Sequence, residues 1–294
     1  MSDSQTLQET ESRLMRLATN ASVFVAVFLI IIKTIGYALT GSVTLLSSLL
    51  DSLLDSLASI INLIAVRHAL EPADEEHRFG HGKAEPLAGF AQAGFIIASS
   101  GFLIFEAILR LKNPQPLQYA NIGIVIILIT LIVTFVLVRF QSYVVKKTGS
   151  VAIMADSIHY MSDLLLNALV IISLILVSRL QLWWIDSLFA ICIAVYILWT
   201  ARKIAIASLD QLMDRELPDI DRNKIIEIVK SHSQVIDLHD LRTRQSGRNI
   251  FIQFHLDMDK NLKLHEAHNI TESVHKELIE VFPEADILIH EDPA

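Results

Sequence analysis

The stretch Ser42-Val-Thr-Leu-Leu-Ser-Ser-Leu-Leu-Asp51-Ser-Leu-Leu-Asp55-Ser-Leu-Ala-Ser-Ile-Ile-Asn-Leu-Ile-Ala-Val66 is long and apolar enough to cross a bilayer, yet it carries two carboxylates. A spanning helix needs about 20 mostly apolar residues, so the length points to lipid. The charges point to chemistry. An ionisable group at membrane depth is costly, and it faces the interior of a helix bundle or a water-filled path. Residues four apart share one helical face, so Asp51 and Asp55 are able to reach a common ion.

Further along, Ala155-Asp-Ser-Ile-His159-Tyr-Met-Ser-Asp163 repeats the device in another apolar run, with His159 and Asp163 again four apart. Each helix offers half of a four-ligand shell. Polar residues that merely satisfy one another across packed helices, or a proton relay without metal, form the plainer alternative; two matched pairs of metal-type ligands favour a divalent cation. Four ligands of oxygen and imidazole suit the tetrahedral habit of Zn²⁺, whereas Mg²⁺ and Ca²⁺ prefer larger all-oxygen shells. Fe²⁺, Mn²⁺, Co²⁺ and Cd²⁺ accept the same ligand types. Three carboxylates around one divalent ion leave excess negative charge, which a low dielectric tolerates poorly, so protons are expected to replace the metal when it leaves. The imidazole of His159 exchanges a proton for a metal near neutral pH. Asp156, one turn before His159, reads equally as an outer partner of this site or as a packing residue.

The remainder of the 294-residue chain fits a membrane protein: 52% of it is hydrophobic and 19% charged. Its mean hydropathy of +0.48 exceeds that of an ordinary soluble domain. Six runs reach bilayer length, at 17–39, 42–66, 86–110, 120–143, 150–178 and 182–206. The single cysteine, Cys192, excludes a disulfide framework and a thiolate cluster. The polar first eleven residues lack the pattern of a cleaved secretory signal, so the first apolar helix is expected to stay. Beyond Asp214 the pattern changes. Glu216 to Ser231 reads as an amphipathic helix, Asn249 to Asp257 alternates at period two, Leu264 to Val281 is helical, and Ala285 to His290 is a strand. The predicted fold is an all-α membrane domain of six transmembrane helices, followed by a cytosolic α+β domain of αββαβ, ferredoxin-like order. Its boundaries are expected at 1–12 for a polar N-terminus, 13–208 for the membrane domain and 209–294 for the tail.

Basic residues set the orientation. Arg13, Arg16, Arg67, Arg78, Lys83, Lys146, Lys147, Arg202 and Lys203 fall on the side of the termini, against Arg110, Lys112 and Arg179 opposite. Both termini should therefore be cytoplasmic. Trp183 and Trp184 suit the other interface as anchors. The tail is acidic and has no basic patch or aromatic stacking motif, which argues against nucleic acid as a partner.

The six spans, the two ligand pairs, the loop Pro72-Ala-Asp-Glu-Glu-His77-Arg-Phe-Gly-His81-Gly-Lys83 and the histidine-rich tail together resemble the cation diffusion facilitators, and within them the bacterial zinc transporters. The resemblance covers nearly the whole chain. It implies a homodimer in the bacterial inner membrane that is a secondary transporter, not an enzyme, and that exchanges metal for protons by alternating access. Asp51, Asp55, His159 and Asp163 would form its transport site. The histidine among them matches the zinc- and cadmium-handling version, since manganese members carry a carboxylate at the position of His159; iron stays among the expected substrates. Asp74, His77 and His81 match a second family site, although the residues alone are equally compatible with a solvated loop. Lys83 matches a lysine that pairs with an aspartate after the sixth span, here Asp214.

Seven of the eleven histidines follow Asp214. Read without the family, most of these are ordinary surface residues. With it, His239, His255, His268, His290 and a bridging Asp292 match a binuclear zinc site near the dimer interface, where Zn²⁺ would be a structural or regulatory ion as well as cargo. His265-Glu-Ala-His268 has the wrong spacing for a zinc-protease motif. Two further readings compete with transport. An intramembrane metallohydrolase needs an open coordination position and a general base, and a membrane-anchored metal sensor has no use for buried carboxylates.

Overall fold

The computed structural model describes residues 2–40, 43–112, 121–180, 184–283 and 285–294. Six long helices come first: α1 (Ser2–Thr40), α2 (Val43–Ala69), α3 (Ala84–Lys112), α4 (Asn121–Thr148), α5 (Val151–Leu180) and α6 (Trp184–Leu212). Each contains a segment long and apolar enough to cross a membrane. The helices overrun the predicted spans because hydrogen bonding along the backbone does not stop where lipid does. In α1 the helix runs unbroken through the polar N-terminal segment. Trp183 lies outside the described residues, as do the side chains of Trp184, Arg110 and Arg179.

The exterior of this unit is as apolar as its interior, where polar side chains lie among buried clusters such as Met15, Val66 and Val144. Phe24 is 72% exposed and Phe102 66%, while Ser22, Ser59, Gln92, Gln141 and Asp156 are buried. Lipid accepts the apolar exterior, and the buried polar side chains are held together by hydrogen bonds between helices. The α4–α5 junction sets the position of the fifth helix. Gly149 takes φ 65° and its N–H donates to the Val145 carbonyl at 2.8 Å, closing α4. Ser150 follows, and its Oγ accepts from the Ile153 N–H at 3.2 Å, opening α5. A two-residue link thus makes α4 and α5 antiparallel neighbours and fixes where His159 falls along the bundle.

The chain forms two compact units, one spanning Thr6–Leu209 and the other built on Asp210–Ala294. The second contains α7 (Asp219–Ser231), β1 (Asp237–Ser246), β2 (Asn249–Met258), α8 (Leu264–Val281) and β3 (Ala285–Pro293), the predicted αββαβ order. The sheet runs β1-β2-β3, with β1 and β2 antiparallel and β2 and β3 parallel. Ile252, Phe254, Leu256 and Met258 of β2 point to one face and pack against Ile225 and Val229 of α7 and Ile270, Val274 and Leu278 of α8. Strand alternation sends Gln253, His255 and Asp257 to the other face.

Two boundaries differ from expectation. The first tail helix begins at Asp219 rather than Glu216, because Pro218 occupies its N-cap position and disfavours helical backbone in the residue before it. The last strand continues past His290 to Pro293, where it still pairs with Met258 of β2. Asp292 is thereby a strand residue.

Candidate metal centres

At the membrane site, α2 supplies Asp55 and α5 supplies His159 and Asp163. One ligand atom from each lies within 4.8 Å of the other two. Nε2 of His159 is 2.9 Å from Oδ1 of Asp55 and 3.9 Å from Oδ2 of Asp163. Two ligands on a zinc ion, each bonded at about 2.0–2.1 Å, stand roughly 3.3 Å apart in a tetrahedron, so small side-chain adjustments would admit an ion. His159 is only 8% exposed. Asp51 lines the same cavity, of about 530 Å³, but its carboxylate does not join the three-residue group. The predicted fourth ligand is near the others rather than among them.

Asp156 resolves the choice left by its position on α5. It is buried, and it accepts hydrogen bonds from Ser22 Oγ of α1 at 2.7 Å, Gln92 Nε2 of α3 at 3.1 Å and Gln141 Nε2 of α4 at 2.6 Å. A hydroxyl chain reaches it through the same Ser22. The Tyr160 and Ser59 oxygens are 2.9 Å apart, and those of Ser59 and Ser22 are 3.0 Å apart. Asp156 therefore fixes α5 against three other helices, and it fixes the position of His159 one turn away.

Two charged residues near the cavity escaped the sequence reading. Lys33 of α1 donates from Nζ to Ser52 Oγ at 2.7 Å and to the Ser48 carbonyl at 3.1 Å, and its charge reaches Asp163, Asp55 and Asp51. Glu106 of α3 lines the cavity. Each is a lone ionisable residue in an apolar run, which was the available signal.

The loop between α2 and α3 gathers Asp74, His77 and His81 into a second group. Asp74 Oδ1 accepts from the backbone N–H of His77 at 2.6 Å and of Glu76 at 2.9 Å. The His77 N–H bond, seconded by that of Glu76, holds the Asp74 carboxyl below the ordinary carboxylate range. The other oxygen, Oδ2, lies 3.3 Å from His81 Nε2, and His77 Nδ1 is 3.4 Å from Oδ1. Lys83 sits just before α3 and is half-buried. Asp214 forms an ion pair with Arg244 within the tail at 3.4 Å.

In the tail, strand register builds the site. His239, His255 and His290 are cross-strand neighbours on β1, β2 and β3, as are Asp237, Asp257 and Asp292. The histidine rings stand 4.9 and 4.6 Å apart. Asp292 Oδ2 is 2.7 Å from His255 Nδ1 and 3.6 Å from His239 Nε2, and its Oδ1 is 3.4 Å from His290 Nε2. The hydrogen bond from His255 is the main cause of an Asp292 carboxyl pKa below the usual range. Asp292 thus lies within reach of all three histidines. His268 does not join; it lies exposed on α8 and outside the His239–His255–Asp292 group. Asp257, which the sequence reading missed, is 3.2 Å from His239 Nδ1.

These features find a counterpart in known proteins. The cation efflux transmembrane domain matches residues 20–213, and the cytoplasmic domain of cation efflux proteins matches residues 217–294. The chain belongs to the cation efflux family. It is 47% identical over 278 residues to the cation-efflux pump FieF of Shewanella oneidensis, covering 95% of this chain and 94% of that one. The FieF of Yersinia enterocolitica is 48% identical over 282 residues, 96% of this chain and 94% of the relative, and that of Citrobacter koseri 44% over 291, 98% and 95%. Membership in the cation efflux family makes this chain a multi-pass membrane transporter of metal cations rather than an enzyme, and it sets aside the metallohydrolase reading.

Proposed function

We propose that this cation efflux protein exports Zn²⁺ from the cytoplasm in exchange for protons, as a homodimer of the bacterial inner membrane with both termini cytoplasmic. Cd²⁺ and Fe²⁺ fit the same ligands. The observation that carries the reading is the Asp55–His159–Asp163 group in a cavity between membrane-spanning helices. One imidazole among carboxylates favours zinc over the hard cations. The charge balance supports exchange: Asp51, Asp55, Asp163 and Glu106 line the cavity, a divalent ion cancels two negative charges at most, and Lys33 supplies one further positive charge nearby. Without metal the uncancelled charge at membrane depth favours protonation, so metal and protons alternate.

Proteoliposomes given an imposed pH gradient test both halves of the proposal. Zn²⁺ uptake should exceed that of Mn²⁺, collapse in Asp55→Ala, and be accompanied by opposite proton flux. Equal uptake by the variant would overturn the assignment of the site; uptake without proton movement would overturn the exchange.

The tail cluster supports a regulatory role in the same dimer. Zinc held across β1, β2 and β3 changes transport only if it binds one access state more tightly than the other. Export by the variant His239→Ala/His290→Ala that follows cytoplasmic zinc just as the unmodified protein does would refute that role.

A further inference from the structure

The turn that leads out of α2 carries a second ligand set beside the Asp74 group. His68, in the last turn of α2, Glu71 just beyond it and His81 bring one ligand atom each to within 4.8 Å of one another. The His68 and His81 rings are 4.3 Å apart, no farther than the 4.5 Å between His77 and His81. Glu71 Oε2 lies 2.8 Å from His68 Nδ1. His81 is common to both sets and is the buried member, with only 4% of its side chain exposed.

The state of His81 itself points to a ligand. Its Nε2 faces Asp74 Oδ2, while its Nδ1 is buried without a hydrogen-bond partner among the described residues. Buried polar atoms are nearly always satisfied. One of the two His81 nitrogens lies within 4.8 Å of a ligand atom from each of His68 and Glu71, and a metal-binding histidine is ordinarily held by a second polar contact, so an ion engaging this ring would complete the structure.

We infer that His68, Glu71 and His81 form a separate seat for a divalent transition cation, adjoining the Asp74–His77–His81 group and sharing His81 with it. Two imidazoles and one carboxylate select zinc-like ions over calcium or magnesium. The turn supports this seat: the Glu71 N–H donates to the His68 carbonyl at 3.0 Å, which keeps the two side chains on one side of the backbone. An ion here would sit on the same helix as Asp55, thirteen residues or roughly 20 Å along it. The simpler account of His68 and Glu71 is an ion pair three residues apart that ends α2, and it requires no metal.

Equilibrium dialysis of the full-length protein in detergent with Co²⁺ as the probe separates the two accounts. The double variant Asp74→Asn/His77→Ala should retain one Co²⁺ per chain more than the quadruple variant that adds His68→Ala and Glu71→Gln. Equal counts would overturn the seat. A second measurement needs no substitution: in the unmodified protein, Zn²⁺ should slow diethylpyrocarbonate modification of His68 by roughly tenfold, read by mass spectrometry. Unchanged modification would likewise overturn it. Neither readout depends on transport, so failure here leaves the export proposal standing.

Discussion

The membrane site and the tail site use similar donors but are assembled by different rules. On α5 the ligands are four residues apart, and the third comes from a separate helix, α2. Nothing in a backbone hydrogen-bond ladder fixes the distance from Asp55 to His159, so a small shift of one helix opens or closes the site. In the tail, histidines and aspartates occupy matching positions on three hydrogen-bonded strands, whose spacing of about 4.8 Å is set by the backbone. The tail rows cannot separate without breaking the sheet. Adjustable spacing suits an ion that must leave, and fixed spacing suits an ion that stays.

The strongest way to break this contrast is at the helices. Asp55→Ala should lower Zn²⁺ uptake into proteoliposomes by roughly 100-fold or more, above the 10- to 100-fold typical for loss of an outer partner of a ligand, while Zn²⁺ binding by the tail is unchanged. Loss of both together would mean that the two sites are not independent. His255→Ala is the reciprocal test. It should weaken tail binding by roughly 10- to 100-fold in isothermal titration, with transport at saturating zinc within about threefold of the unmodified rate.

A pH series sharpens the comparison further. Asp292 has a depressed folded-state pKa, chiefly through the hydrogen bond from His255. Its contribution to tail stability is therefore complete above the unfolded value of about 3.9 and is lost as pH falls through the lower folded value. Denaturant unfolding between pH 5 and pH 2 should show this loss, and Asp292→Asn should flatten it. Zinc affinity of the tail should itself fall as pH is lowered, since metal and protons compete for the same donors. The smallest effect is expected at Glu106, which lines the cavity outside the ligand group. Glu106→Gln should raise the half-saturating Zn²⁺ concentration about two- to threefold by weakening the local field.

How much of each site was legible in the sequence follows from the same contrast. Asp51 and Asp55, and likewise His159 and Asp163, declare themselves because one helix sets their spacing, and the two pairs needed only proximity. That Asp51 stays outside the group depends on how α2 is turned, which no spacing reveals. The tail pattern was present as well: β1 reads Asp237-Leu-His239, while β2 and β3 read His255-Leu-Asp257 and His290-Glu-Asp292. An antiparallel strand must carry the pair in reverse order, so the three segments fit one register. Asp257 was legible from this and was missed. His268 was grouped with the others by family resemblance alone, and in the folded chain α8 holds it apart. Register also depends on the irregularity after His239 and on Gly247 in the two-residue turn, with φ 60°. Lys33 stands out as a lone charge in an apolar run, but its place beside this site, like the donors to Asp156, lies on other helices that a periodic reading of one segment does not reach.

The grip on Asp156 has a mechanical consequence. A carboxylate held by α1, α3 and α4 acts as a dowel through the bundle: α5 cannot rotate about its own axis unless three bonds break together. α2 is joined to this assembly by other contacts: the Lys33 bonds to Ser48 and Ser52, the Ser59 hydroxyl, one long bond of 3.4 Å from Asn62 to the Ala152 carbonyl, and the Asp55–His159 contact at the site itself. A change at the site that leaves the three Asp156 bonds intact would then have to move α2 relative to a block that carries His159 and Asp163, at the cost of the Lys33 and Asn62 bonds. On the proposed transport reading the block would be the anvil and α2 the jaw, and an ion would leave when the Asp55–His159 gap widens.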